Sequence, residues 1–489
     1  VLWEEDPTPA RQSSKKPAAL VGLIAAAIVI GLVALSLLTR GGRETPAASP
    51  LPAAAVVQRG VANVFGELEV LQAEYTIGRL SVYRLPQRDT EDRATFSFSL
   101  ATIEGRLVYE EPGRLRDENA LQIPDTGRTR TTVVRTAEDG IRTLTVEPDD
   151  RRLDAVSGPA AGPPSGPFVP LLGTLDQAVA APARLLVGAR SVEVLGEGQI
   201  EDHRVYRVRF RVDPDPFTRA DTIEMHLDAQ TYFPLRVIRS IARQDAQVLG
   251  PEELLTQEAI DTAFGDRDRM TVERVDLTSV ELNGVALPGE FRIEPPEDVD
   301  PETTDAGFEA TTREAASEDL TWLLTPTSIP GTFREQSTVA VTEDPPPWGP
   351  RERYPAPTGV VQTTYFDGMT TVVVDQRQVR RGPFEVADSP IPDTTMPLNE
   401  RILPGGEGRE LRYAVSPEVP PHVWGWVDDV FVVVSGYATL DELVAFAEAM
   451  EAPEPSPTPE GSPGPSPRGS PSPTGSPRGT SSPTPRATP

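Results

Sequence analysis

Period-two alternation of apolar and polar residues constrains this chain more than any other feature. Tyr206, Val208, Phe210 and Val212 alternate with Arg207, Arg209 and Arg211, and Phe96, Phe98 and Leu100 alternate with Thr95, Ser97 and Ser99. Successive side chains of a strand point to opposite faces, so these segments predict antiparallel sheet with one face buried and one wet. Ile223, Met225 and Leu227 continue the pattern, as do Phe233, Leu235 and Val237, with Asp228-Ala229-Gln230-Thr231 as the turn of a hairpin between them. Val272, Val275, Leu277, Val280 and Leu282 predict more strand, and shorter strands are expected at 332–341, 360–366, 369–375 and 430–434.

Helices are marked by a different period. Val57, Val61, Val64, Phe65, Leu68 and Leu71 recur at three- and four-residue spacing, so an amphipathic helix opens the folded part. Thr174-Leu175-Asp176-Gln177 and Thr439-Leu440-Asp441-Glu442 are both spaced as capping boxes. The first helix should break or restart at Pro182, and the second should bury Leu443, Phe446, Ala447 and Met450.

A chain of 489 residues holds two or three domains. Its net charge of -28 repels phosphate backbones and excludes nucleic-acid binding. The absence of cysteine excludes disulfides, thiolate metal sites, thiol catalysis and an acylated lipoprotein cysteine. Residues 1–17 read as a cytoplasmic tail and 18–38 as a transmembrane helix, because 21 uncharged residues make about 30 Å of helix. The expectation is thus a single-pass membrane protein with a cytoplasmic N-terminus and the bulk of the chain extracytoplasmic. Val1 in place of methionine leaves room for an upstream segment. A linker follows at 39–52, then a domain at 53–297, an acidic linker at 298–312 and a second, mainly β domain at 313–451. The Pro/Ser-rich stretch 452–489 has almost no large apolar side chain and is expected to stay extended.

No chemistry-bearing motif stands out. His203, His226 and His422 lack metal-ligand spacing, and the chain has no nucleophile elbow, phosphate-binding loop or dinucleotide fingerprint. Asp298, Asp300, Glu302 and Asp305 read as solvated linker rather than a calcium loop. Arg207, Arg209 and Arg211 read as partners of acids across the sheet rather than an anion patch. No catalytic residue, cofactor or metal is expected, and the protein is read as non-enzymatic. A sheet with helices over its concave face either fills with side chains or keeps an apolar cavity. The candidate lining is Val57, Val61, Phe65 and Leu68 on the helix, with Phe96, Phe98, Leu100, Tyr206, Phe210 and Met225 on the strands.

The order of elements resembles the outer-membrane lipoprotein carrier (LolA-like) fold. The run from Ile223 to Leu235, with Asp228, Thr231 and Pro234 at its turn, carries the resemblance most clearly. The second region is similar to the C-terminal domain of RseB/MucB-type regulators through Tyr365-Phe366-Asp367-Gly368-Met369 and the closing strand and helix from Trp426 to Met450. The resemblance implies an α+β protein with a curved antiparallel half-barrel covered by helices and a smaller α+β second domain. It also implies a membrane-anchored protein that binds lipid or lipoprotein acyl chains, or senses envelope stress through an anti-sigma factor or another envelope protein. The alternative is a structural or adhesive envelope protein with filled β domains and a wall-spanning tail.

Overall fold

The computed structural model describes residues 51–451 apart from 86–94, 112–113, 124–127, 138–139, 148–149, 158–172, 216, 251–254, 295, 298, 306, 344, 346–356, 380–398, 405–409, 416–419 and 428–429. Helix α1 (Ala54–Gly66) leads into β1 (Val70–Leu85), β2 (Thr95–Glu110), β3 (Arg114–Ile123), β4 (Arg128–Ala137), β5 (Gly140–Glu147) and β6 (Asp150–Ser157). A π-helical turn (Asp176–Ala180) runs directly into α2 (Ala181–Gly188). Then come β7 (Val192–Ile200), β8 (His203–Arg211), β9 (Thr222–Asp228) and β10 (Pro234–Ala242), followed by a 3-10 helix (Arg243–Leu249) and α3 (Gln257–Phe264). Strands β11 (Arg269–Leu282) and β12 (Glu302–Asp305) complete the first sheet.

This sheet has the order β12-β6-β5-β4-β3-β2-β1-β11-β10-β9-β8-β7. It is antiparallel except for β12, which lies parallel to β6. The expected half-barrel is corrected here. The sheet is open, with β12 and β7 at opposite edges and no pairing between them, and the space under its helices is filled by side chains instead of being wrapped by strands.

The described residues from 309 to 451 build a second layer. It comprises β13 (Glu309–Thr311), α4 (Arg313–Asp319), β14 (Thr325–Pro326), β15 (Arg334–Val341), β16 (Gly359–Phe366), β17 (Thr371–Gln378), β18 (Asn399–Pro404), β19 (Glu410–Val415), β20 (His422–Val427), β21 (Val430–Gly436), α5 (Leu440–Glu448) and β22 (Met450–Glu451). Eight of these strands form a sheet ordered β13-β15-β16-β17-β21-β20-β19-β18, while β14 pairs with β22. The expected capping box starts α5: Thr439 and Glu442 each bond the other's backbone N–H. Leu443, Phe446, Ala447 and Met450 are buried against the sheet as their spacing required.

Among the described residues no helix is long and apolar enough to cross a membrane. The run 18–38, on which the single-pass span, the cytoplasmic N-terminus and the membrane partnership rested, lies outside the described residues, as does the tail 452–489. The membrane-anchored reading, and the localisation that followed from it, are withdrawn.

Phe210 shows how tightly the helix-covered layer is filled. It is 2% exposed, on β8 within the same apolar cluster as α1 and α2. Phe210→Ala is expected to lower the unfolding free energy by about 3–5 kcal/mol, read from urea denaturation of the purified chain.

Candidate functional site

The layer between the helices and the first sheet gathers most of the residues singled out from the sequence. Val57, Val61 and Phe65 form the buried stripe of α1, and with Leu68, Phe210 and Met225 they belong to one cluster. Phe65 stacks on Phe233 with ring centroids 5.5 Å apart. Tyr206 is half-buried at the rim and stacks on Tyr232 at 6.0 Å. Leu100 is half-buried and sits opposite Leu80 of β1, away from α1. Phe96 and Phe98 have their backbones in β2, and their side chains lie outside the described residues.

Polar ties hold this layer shut at its rim. Gln58 Nε2 donates to the carbonyls of Leu186 (3.0 Å), Val187 (3.3 Å) and Ala189 (2.9 Å), so α1 satisfies the open end of α2. The two helices are thereby joined. Tyr232 closes the other side: a Cβ on Gly60 would lie 2.5 Å from the tyrosine ring, so only glycine lets α1 approach this closely. Tyr232 holds its place at the hairpin tip with φ of 64°. Asp228 fixes that tip, its Oδ1 accepting from Gln230 N–H (2.9 Å), Thr231 N–H (2.8 Å) and the Thr231 hydroxyl.

At the sheet end of α2 the sequence reading needs correcting. Thr174 does not cap a helix; its N–H and hydroxyl both donate to Asp117 Oδ2, at 2.7 and 2.6 Å, while Tyr75 donates to Oδ1 at 2.6 Å. Burial drives the Asp117 carboxyl towards its neutral form more strongly than these bonds oppose it. The helix that follows is π-wound, as Ala181 N–H reaches back five residues to the Asp176 carbonyl. The next such bond would run from residue 182 to the Gln177 carbonyl, but Pro182 has no N–H to give. Buried Arg239 supplies it instead, Nη2 donating to the Gln177 carbonyl at 2.5 Å.

Arg239 belongs to a row of charges buried on the apolar face. Strand register sets Arg79 of β1 and Arg239 of β10 directly opposite Glu273 of β11. Arg79 Nε lies 2.5 Å and Arg239 Nε 3.3 Å from the Glu273 carboxylate. Burial alone would raise the Glu273 pKa, yet the two guanidiniums outweigh it and hold the carboxylate ionised. Arg219 adds a third buried cation, donating to the Leu80 carbonyl at 3.0 Å. Burial, then repulsion from Arg79, brings its pKa down to about 10. Sequence reasoning missed this belt, although a signal existed: Arg239 falls on the inward parity of Leu235, Val237 and Ile241.

The belt also faces the second layer. Tyr437, just after β21, is half-buried beside it, stacks on Phe217 at 6.4 Å, and has its ionisation pushed up by desolvation and the Asp176 charge. Nearby, Arg184 of α2 donates from Nε to Asp367 Oδ2 at 2.7 Å and pairs through both terminal nitrogens with Glu442. Glu442 is the residue that caps α5, so one guanidinium ties α2 to the β16–β17 turn and to the second layer's helix. Met369 from that turn enters the apolar cluster of the first layer.

Several other charged groups are tied into pairs. Arg207 and Arg209 each lie 3.0 Å from Glu224, which also accepts from His226. The His226 bond, followed by the arginines, lowers Glu224 to about 2. His203 contacts Asp228, and no group of three His, Asp or Glu side chains among the described residues is placed to hold a metal ion.

No family model matches the chain, and no curated protein matches it. Solved structures overlap it weakly. LprF from Mycobacterium bovis is 12% identical over 49% of this chain and 98% of its own, with a TM-score of 0.29. The lipoprotein LppX of Mycobacterium tuberculosis is 10% identical over 48% and 98%, at 0.24. A putative outer membrane lipoprotein-sorting protein domain from Vibrio parahaemolyticus is 10% identical over 49% and 94%, at 0.17. The chain thus has a weak structural similarity to bacterial lipoprotein and lipoprotein-carrier folds, and overlaps of this size carry no weight for function.

One buried histidine makes stability depend on pH. His422 is wholly enclosed, donates from Nδ1 to the Pro420 carbonyl at 3.0 Å and stacks on Trp424. Burial pushes its pKa down to about 4 from the ordinary 6.5. The unfolded chain therefore takes up this proton first, so the stability present above pH 6.5 is lost as pH falls towards 4, by about 3 kcal/mol. Urea midpoints measured across that window should fall, and His422→Gln should flatten that part of the curve.

Proposed function

We propose that this is a non-catalytic carrier-like protein whose first domain, 53–297, is LolA-like and whose second, 313–451, is RseB/MucB-like. On this reading the layer under α1 and α2 is the resting, closed form of a site for a single apolar chain. Val57, Val61, Phe65, Phe210 and Met225 would then be the residues that a guest displaces. The single observation that carries the reading is a continuous apolar layer between two joined helices and one sheet face, closed at its rim by Gln58 and by Tyr232 against Gly60.

A guest enters by lifting α1 and α2 as a pair, because Gln58 binds one to the other. Nothing in this reading requires a membrane anchor or a sigma-factor pathway. The purified chain is titrated with a fluorescent fatty acid such as cis-parinaric acid. Saturable uptake of about one molecule per chain is expected, faster in Gly60→Ala, which forces α1 outward, and in Tyr232→Ala, which removes the wedge without adding atoms. No uptake by any of the three folded proteins would leave a filled frame and end the carrier reading.

A further inference from the structure

We propose that the depression beyond the ends of β10 and β11 is a binding site for a neutral, hydroxyl-rich ligand of disaccharide size. It lies past the charged belt from the helix-covered layer and does not rest on the carrier reading. The cavity measures about 490 Å³, within the roughly 300–1,000 Å³ usual for small-molecule sites. Its walls come from the 3-10 helix, the first turn of α3 and the turn into β11, with Ala242 and Ile260 as a small apolar floor.

The chemistry of the walls selects the ligand. Two arginines line the cavity and both hold protein partners, although the buried Nε of Arg243 makes no hydrogen bond. Arg243 lies over the Phe264 ring at 5.7 Å and donates from Nη2 to the carbonyls of Gly265 and Arg267, the latter at 2.9 Å. Arg269 makes two bonds to the Asp221 carboxylate, the longer 2.8 Å. A free anion has to compete with these protein partners for either arginine, and the Asp268 carboxylate in the same wall repels it. A divalent cation finds no set of ligands either, since no such group occurs among the described residues.

Groups that suit hydroxyls remain. Gln247 donates from Nε2 to the Leu255 carbonyl at 3.0 Å, and Gln257 donates to Asp261 at 3.0 Å, so each keeps its amide oxygen for another donor. Gln244 and the Asp268 carboxylate have no partner among the described residues. A hydroxyl both donates and accepts, so neighbouring hydroxyls on one ring match this mixture of amide and carboxylate, while Ala242 offers a small apolar contact to the C–H face of the ring. The arginine ties hold the walls in place before the ligand arrives, which lowers the ordering cost of binding.

The test is calorimetric titration of the full chain with trehalose, maltose and N,N′-diacetylchitobiose, with inorganic phosphate and magnesium chloride as controls. Millimolar one-to-one binding of at least one disaccharide is expected, weakened tenfold or more in Asp268→Asn and in Gln257→Ala. Both positions are exposed, and unchanged melting temperatures show that the variants fold. The proposal is overturned if no disaccharide binds, if binding persists unchanged in both variants, or if phosphate or magnesium binds in place of the sugars.

Discussion

The carboxylate of Glu273 is the point on which the rest of this structure depends. It lies on a central strand, buried, with an arginine opposite it on each neighbouring strand. A charge in such a place is tolerated only if it is paired, and removing one partner of a buried pair typically costs about 3–5 kcal/mol. Arg79 and Arg239 supply the compensation, and Arg239 does a second thing that no apolar residue could. It completes the π-turn that Pro182 leaves one bond short. The belt therefore couples the register of three strands to the path of the helix laid over them.

The same belt divides the inward face of the sheet. On one side lies the layer covered by α1 and α2; on the other a smaller cluster of Leu80, Ile241, Ile260, Phe264 and Met270 packs under α3. A bulge between Arg239 and Ser240 shifts the pairing at this boundary, which turns both Val272 and Met270 inward. On the carrier reading, an apolar guest on the α1 side would meet a charged wall at the belt. The polar depression lies beyond α3, so the two candidate sites share a sheet without sharing a space.

Local features were legible in the sequence wherever the determinant was local. The hairpin at Asp228 to Pro234 follows from an aspartate whose side chain caps its own turn, the α5 start from Thr439 and Glu442, and α1 from its apolar spacing. Thr174 looked the same as Thr439 by spacing and behaves differently, because Asp117, far away in sequence, takes its hydroxyl. Whether a sheet curls is equally non-local: alternation says which side of a strand is wet, not how edge strands meet, and the half-barrel expectation failed there. The belt was hidden because each of its charges looks like an ordinary surface residue until strand register sets three of them in a row. Of the residues proposed as lining, those on α1 share one apolar cluster with Phe210 and Met225, while Leu100 sits by Leu80 beyond the belt.

The central claim is that the belt, together with Arg184 bridging Asp367 and Glu442, makes the two layers one cooperative unit. The described tryptophans, Trp322, Trp424 and Trp426, all lie in or against the second sheet, so in a chain carrying Trp3→Phe and Trp348→Phe tryptophan fluorescence reports on that layer. Hydrogen exchange at β1, β10 and β11 reports on the first. The most direct measurement is urea unfolding of the same sample followed by both. The account predicts a single transition with coincident midpoints. Loss of the tryptophan signal while β1 and β11 remain protected from exchange would contradict it.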